Sequence, residues 1–294
     1  MKPILWLSLL LFSTLSCSNL SAQSDFPYQT DMPDHIFIMP KKLKEISGLG
    51  FSPDYKKLVA IQDEQGIIFF LDKSSGKVLN EVKFWDSGDY EGVEMVENEV
   101  FVVKSTGTLY RIKSEGKEVE KYNFFLDQEN DVEGLAYDKA NNRLLLACKA
   151  KAGQGENLKT KKGIYSFDLK HLRLEPEPAF TVSQQDVLQY LSAADYLKDK
   201  DKLLEHFDES ADEFAFAPSS LAIHPITGQI YILSSVGKLL MIIDMNSAIV
   251  HIEKLKKKMH AQPEGICFDQ DGTMYIANEA KDDEPGKILV FKMK

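Results

Sequence analysis

One short phrase recurs five times along this chain of 294 residues, and it constrains the fold more than any other feature. Each copy places Ser or Glu second, a small residue third and a hydrophobic residue last. The second residues lie at positions 47, 91, 133, 219 and 264, which gives spacings of 44, 42, 86 and 45 residues. Self-similarity with a period of about 40–50 residues is typical of propellers and repeat arrays. The five copies are Ile46-Ser47-Gly48-Leu49, Tyr90-Glu91-Gly92-Val93, Val132-Glu133-Gly134-Leu135, Pro218-Ser219-Ser220-Leu221 and Pro263-Glu264-Gly265-Ile266.

Each phrase opens a run of short hydrophobic segments separated by turn residues, which predicts one four-stranded blade per copy. The long spacing equals two periods, or one period plus an insertion. Residues 183–213 favour the insertion, because Ser183 to Asp186 is typical of a capping box and hydrophobic residues follow at helical spacing. We therefore predict an all-β, five-bladed β-propeller with a short helical insertion near 183–213. A six-bladed propeller is the alternative.

The last blade has only three predicted strands before the chain ends. An isolated strand, His35–Met39, precedes the first blade. We predict that it completes the last blade beside Lys287–Lys292, because joining both ends of the chain in one blade removes exposed strand edges.

The first residues are typical of an export signal. Met1-Lys2-Pro3 precedes an apolar run of about a dozen residues, which is too short to span a membrane. Thr14-Leu15-Ser16-Cys17 resembles a bacterial lipobox, so we predict a lipoprotein signal over residues 1–17 with lipidation of Cys17. The alternative is ordinary cleavage after Ala22.

These signals predict three parts of the chain: the signal, a tether over residues 18–34 and a single propeller domain over 35–294. The protein is expected to be a monomer in the cell envelope, held to a membrane by its lipid anchor, or else secreted or periplasmic. Its net charge of −10 argues against nucleic-acid binding and is compatible with cationic ligands. Cys148 and Cys267 fall in the third and fifth blades, which are not neighbours, so we predict no disulfide between them.

Repeat position implies spatial position around the central channel. We predict that the second residues of the phrases form an axial ring, joined by two residues from the turns between the second and third strands. The predicted site contains Ser47, Glu91, Glu133, Ser219, Glu264, Glu64 and Glu279.

Carboxylates brought together need a counter-charge or raised pKa values. Oxygen ligands suit Ca²⁺ or Mg²⁺, which makes Glu91, Glu133 and Glu264 candidate metal ligands. The alternative is structural: each ring residue would bond backbone N–H groups of the next blade. Familiar hydrolase, zinc-protease and phosphate-loop motifs are absent from the sequence, so no catalytic residue is assigned.

The order of these phrases resembles the SdiA-regulated family of bacterial propellers (the YjiK type). The resemblance covers roughly residues 40–292 and includes His224-Pro225, Thr227-Gly228 and Asp271-Gly272-Thr273. It implies an exported or membrane-associated propeller without a defined activity. The fourth phrase departs from the family pattern, since Ser220 stands where Gly is usual. A more distant resemblance to gluconolactonase-type propellers rests on Glu264, Asn278 and Glu279 alone.

Two functions fit these patterns. The first is a binding or scaffold propeller that holds an unknown protein or small-molecule ligand at its axial mouth. The alternative is a metal-dependent hydrolase of a lactone or phosphoester, with Glu91, Glu133, Glu264 and Glu279 as ligands or base. We favour binding, because an enzyme needs an asymmetric metal shell with an open position.

Overall fold

A computed structural model describes residues 26–113, 116–154, 159–208, 210–282 and 284–294. The predicted signal over residues 1–17, the lipidation site Cys17 and the cleavage site after Ala22 lie outside the described residues. Within the described ranges, no helix is both long and apolar enough to cross a membrane.

The chain enters through one strand and a 3-10 turn at Lys41–Leu43, then builds blades one and two. The strands are β1 (His35–Ile38); in blade one β2 (Ile46–Phe51), β3 (Lys57–Gln62), β4 (Ile67–Asp72) and β5 (Val78–Lys83); and in blade two β6 (Tyr90–Val96), β7 (Glu99–Lys104), β8 (Leu109–Lys113) and β9 (Glu118–Tyr122).

The other three blades follow in chain order. Blade three has β10 (Val132–Asp138), β11 (Arg143–Cys148), β12 (Lys161–Asp168), β13 (Arg173–Leu174) and β14 (Phe180–Ser183); blade four has β15 (Pro218–Ile223), β16 (Ile230–Ser234), β17 (Leu239–Ile243) and β18 (Ile249–Lys254); blade five has β19 (Pro263–Phe268), β20 (Met274–Asn278) and β21 (Lys287–Phe291).

The blades close into a ring of five. The innermost strand of each blade contacts that of the next, in the order β2, β6, β10, β15, β19 and back to β2. The predicted five-bladed propeller is therefore confirmed, and the six-bladed alternative is wrong.

Blade five is completed by the start of the domain. β1 pairs antiparallel with β21, with His35 opposite Val290 and Ile38 opposite Lys287. The predicted closure is confirmed. Phe37 packs on the core between blades five and one, and Met39 is buried in it.

Apolar side chains of neighbouring blades fill the wedges between them. Cys148 lies in the core between blades two and three, and Cys267 in the core between blades five and one. Both are buried, and they form no disulfide, as predicted.

The insertion folds as two helices, α1 (Gln184–Ala193) and α2 (Lys200–His206). Ser183 and Asp186 form the predicted capping box. Val187, Leu191 and Leu203 are buried in the core between blades three and four. The helical insertion is confirmed.

The outer edge of blade three is split into β13 and β14, which both pair with β12. Pro176 and Pro178 lie between them. Proline has no N–H to donate to a ladder, which explains the interruption.

Candidate functional site

Every innermost strand carries a β-bulge at the second residue of its phrase. In blade three, Val132 pairs with Cys148 and Gly134 pairs with Ala147, so Glu133 is an extra residue between them. The same irregularity occurs in the other four blades. A bulge breaks the alternation of side chains and re-aims one of them. The repeat register predicted the ring but not the bulges that position it.

The Gly after each bulge permits close packing of the next blade. A Cβ at Gly92 would lie 2.6 Å from the Cβ of Leu135 and 3.1 Å from its backbone nitrogen. In blade four, Ser220 instead accepts a hydrogen bond from the Ile266 N–H of blade five, at 3.2 Å. Ser220, which departs from the family pattern, thus adds a hydrogen bond between blades four and five.

The two serines of the ring bond to main-chain carbonyls of the next blade. Ser47 donates its hydroxyl hydrogen to the Tyr90 carbonyl of blade two at 2.6 Å, and Ser219 donates to the Pro263 carbonyl of blade five at 2.8 Å. The structural alternative placed these residues on backbone N–H groups. It is wrong in that detail, because the partners are carbonyl oxygens, which only accept.

The three glutamates converge at the axis. Glu264 of blade five affects the ionisation of Glu91 in blade two and of Glu133 in blade three, although neither blade is its neighbour. Burial, followed by the charges of Glu133 and Asp89, raises the pKa of Glu91 to about 10. Glu91 is therefore protonated at neutral pH.

Lys149 neutralises one side of the ring. It follows β11, and its ammonium donates to Glu133 Oε1 and lies 3.9 Å from Asp131 Oδ2. Burial raises the pKa of Glu133 to about 8, while Lys149 opposes the rise. Burial alone would lower the pKa of Lys149, but Glu133 raises it above its ordinary value.

On the opposite side of the ring, toward blades five and one, lysine charges compensate the carboxyl groups less. Burial and Glu279 raise the pKa of Glu264 to about 7, against the opposing effects of Lys149 and Lys238. Burial, Asp63 and Glu45 raise the pKa of Glu279 to about 7. Burial, then Glu45, raises the pKa of Asp63 to about 6.

These groups form one connected set, which we name the acidic mouth. Lys44, Lys149, Lys162 and Lys238 are the lysines whose charges act on its carboxyl groups. The acidic mouth comprises Glu45, Asp63, Asp89, Glu91, Asp131, Glu133, Glu264 and Glu279.

Backbone hydrogen bonds fix the rim of the mouth. The Asp63 N–H donates to the Glu45 carbonyl, and the Asp63 carbonyl accepts from the Tyr90 N–H of blade two. The next blade repeats the pattern with Ser105, Asp89 and Val132. Because rim residues are held by the main chain, their carboxylates sit on a rigid support.

One residue of the predicted site, Glu64, was chosen through a register error of one position. Gln62 pairs with Ile46 as Asn278 pairs with Pro263, so Asp63 is the equivalent of Glu279. Glu64 lies one residue further along the turn and is exposed. The prediction should have placed Asp63 in the mouth instead of Glu64.

Two rim residues have unused hydrogen-bonding atoms. Asp63 Oδ1 is buried without a partner, as are both side-chain polar atoms of the fully buried Asn278. Buried polar atoms almost always have partners, so these atoms mark a place where a ligand could supply them.

The described residues offer no ready-made metal centre. No group of three or more His, Cys, Asp or Glu side chains among them could hold a metal ion as arranged. Glu133, a predicted ligand, is paired with Lys149. Glu91, Glu133 and Glu264 as ligands of Ca²⁺ or Mg²⁺ therefore stay a prediction.

Comparison with known proteins gives a family match and structures with a similar fold. A family model described as SdiA-regulated matches residues 28–216 and 213–282. Among solved structures, the glutaminyl cyclase of Myxococcus xanthus is 12% identical, with a TM-score of 0.56 over 90% of this chain and 97% of that one. A luciferin-regenerating enzyme is 11% identical, with a TM-score of 0.51 over 89% and 95%. At such identities the likeness extends to the fold alone.

Proposed function

This chain belongs to the SdiA-regulated family, and on that premise we propose that it is a binding or scaffold propeller whose acidic mouth takes a positively charged ligand. The ligand is a small cationic molecule or a basic segment of a partner protein. The observation that carries the proposal is the set of partly buried, mutually repelling carboxyl groups around Glu264 and Glu279, whose pKa values lie near 7.

A cation in the mouth would relieve this repulsion. Burial and like charges hold part of the mouth protonated at neutral pH, and a positive ligand stabilises the ionised forms, so it shifts these groups toward them and releases protons. An ammonium group has several N–H donors and no acceptor, which matches the bare acceptor Asp63 Oδ1.

Export and membrane attachment complete the proposal. They rest on the apolar run after Lys2 and on the lipobox-like residues before Cys17. A lipid on Cys17 would hold the propeller at a membrane of the cell envelope. Mass spectrometry of the mature N-terminus tests this part, since an unmodified chain cleaved after Ala22 would overturn it.

One observation favours the hydrolase alternative. A carboxyl group with a pKa of about 7, such as Glu264, suits general acid–base catalysis at neutral pH. Its weakness is the missing donor set for a metal among the described residues. Turnover of a lactone or phosphoester that is lost in Glu264→Gln would favour the enzyme.

Titration calorimetry at pH 7.5 and low salt tests binding directly, with spermidine, a short lysine-rich peptide, CaCl₂ and MgCl₂ as separate probes. We expect at least one organic cation to bind. In the double variant Glu264→Gln/Glu279→Gln, its affinity should fall by roughly tenfold or more, since each tenfold corresponds to about 1.4 kcal/mol. Binding of a metal ion alone would instead support the cation site predicted from the sequence.

The matched control is Glu118→Gln/Glu205→Gln, which makes the same two substitutions at exposed positions outside the mouth. We expect its affinity to stay within about twofold of the unmodified protein. No binding of any probe, or an equal loss in both double variants, would contradict the proposal.

A further inference from the structure

The segment before the first strand is docked on the propeller. We name Phe26–Asp34 the N-terminal strap; it forms the described end of the predicted tether. Phe26 stacks on His251 with ring centroids 4.6 Å apart, and Tyr28 is buried against blades four and five. Asp34 donates its N–H to the Val290 carbonyl at 2.8 Å. The strap therefore crosses the outer part of both blades.

Tyr28 contacts His224, which occupies a position where blades three and five have an aspartate. The last residue before the first turn of a blade accepts backbone N–H bonds: Asp138 in blade three and Asp269 in blade five. In blade four this residue is His224, whose Nδ1 accepts from the N–H groups of Ile226 and Thr227.

This role fixes the protonation of His224. Because Nδ1 is an acceptor, the ring hydrogen must sit on Nε2, 2.8 Å from the Tyr28 hydroxyl. The Tyr28 hydroxyl then donates a hydrogen bond to the Gly272 carbonyl. A second proton on Nδ1 would remove the acceptor from two backbone donors, and burial lowers the pKa of His224 accordingly.

A second histidine holds the middle of the strap in the same protonation state. His260 Nε2 lies 2.9 Å from the Thr30 carbonyl, which only accepts, so the ring hydrogen is on Nε2. Its Nδ1 is buried without a partner, and the residue is fully buried. Burial lowers the pKa of His260 to about 4.

We propose that the N-terminal strap is an acid-released latch: His224 and His260 bind it only as neutral imidazoles, and taking up protons on their Nδ1 atoms releases it. Three of the six histidines of the chain, these two and His251, contact the strap.

Charged groups near the latch shift the pKa of His260 in opposite directions. Lys287 lowers the pKa of His260 and Glu253 raises it, but burial dominates both. Asp31 is paired with Lys256, and this pair is also lost when acid protonates Asp31, whose pKa Lys256 lowers. The other groups that face the strap are Tyr231, Glu253, Asp269, Lys292 and Lys294.

The sign of the effect follows from linkage. Burial lowers the pKa of His260 to about 4 while the strap is docked; if release exposes the ring, its pKa returns to the free value of about 6.5, so docking is favoured above that pH and weakened as pH falls toward about 4. For His260 alone, the equilibrium constant for release should rise about 20-fold between pH 7 and pH 5. His224 adds to this in the same direction.

Release would lengthen the link to the N-terminus. Nine residues, Phe26 to Asp34, extend to roughly 30 Å when freed. If Cys17 is anchored as proposed, acidification would let the propeller move that much further from the membrane.

Hydrogen–deuterium exchange of the purified protein at pH 7 and pH 5, corrected for intrinsic rates, tests the latch. We expect protection of the peptide containing residues 26–34 to fall at least about 20-fold at pH 5, while the inner strands of all blades keep theirs. The variant His260→Gln can still donate to Thr30 but cannot titrate, so the pH dependence should fall to the part that His224 supplies. The control is His171→Gln, an exposed histidine away from the strap.

Proton NMR of the histidine rings gives a second readout if His260→Gln does not fold. We expect the His224 and His260 signals to stay constant from pH 7 to about pH 5.5 and then to change together with strap signals. Titration of both rings near pH 6.5 with the strap still protected would overturn the proposal. So would strap protection that is equal at both pH values, or that falls only together with the whole domain.

Discussion

A chain that begins at Pro40 is expected to unfold roughly 10–20 °C below one that begins at Phe26. The shorter chain loses β1, which is the fourth strand of blade five, and leaves the β21 edge unpaired. It also loses the buried side chains of Tyr28 and Met39. Each such side chain contributes about 1.5–3 kcal/mol, so a total near 5 kcal/mol is expected, and each kcal/mol moves the midpoint about 2–4 °C in a domain of this size.

Differential scanning calorimetry of both chains measures this shift. An unpaired strand edge also promotes association, so the shorter chain should form larger species in light scattering. A synthetic peptide spanning residues 26–39, added in excess, should restore part of the lost stability by occupying the vacant edge. Equal unfolding midpoints in the two chains would show that closure of blade five contributes little.

The ion pair between Glu133 and Lys149 should have the second largest effect on stability. At pH 9, where Glu133 is ionised, Glu133→Gln and Lys149→Met should each cost about 1–3 kcal/mol, because each leaves a largely buried partner without its counter-charge. At pH 6 Glu133 is mostly protonated, since burial raises its pKa to about 8. The cost of Lys149→Met should therefore be smaller there.

Urea unfolding of the single and double variants at both pH values measures the coupling. The double variant should cost less than the sum of the two single changes at pH 9, since the pair is then removed together. Additive costs at pH 9, or single costs below about 0.5 kcal/mol, would mean that the pair contributes little to the mouth.

The ring could be predicted because the repeat converts sequence position into spatial position. Glu91, Glu133 and Glu264 occupy the same place in three phrases, so rotation about the axis must bring them together. The closure by β1 could be predicted from a blade that lacked a strand. The helix at Gln184 could be predicted from its local capping box. Each of these signals lies in the repeat pattern or in the local sequence.

The features that were missed depend on long-range contacts or on single-residue register. The bulge at Glu133 has no residue signature of its own. In the turn between the second and third strands of blade one, the prediction chose Glu64, one position beyond Asp63. The repeat register places Lys149 at the same turn position as Glu279, but nothing in its neighbours predicts its ion pair with Glu133. The strap has a polar, proline-containing sequence, and Tyr28 meets His224 across 196 residues of chain.

The central claim is that the acidic mouth binds a cation through carboxyl groups that are partly protonated at neutral pH. Glu264 and Glu279 have pKa values of about 7, raised first by burial. A bound positive charge lowers these values, so binding must release protons, and affinity must rise as pH increases from about 6 to 8. An ordinary surface carboxylate, already ionised at these pH values, would release none.

The decisive measurement is spermidine titration calorimetry at pH 7 in two buffers with different ionisation enthalpies, which together report the protons released per ligand bound. We predict a release of about half a proton or more, reduced in Glu264→Gln/Glu279→Gln and unchanged in Glu118→Gln/Glu205→Gln. Binding with no proton release, or with the same release in both double variants, would contradict the account.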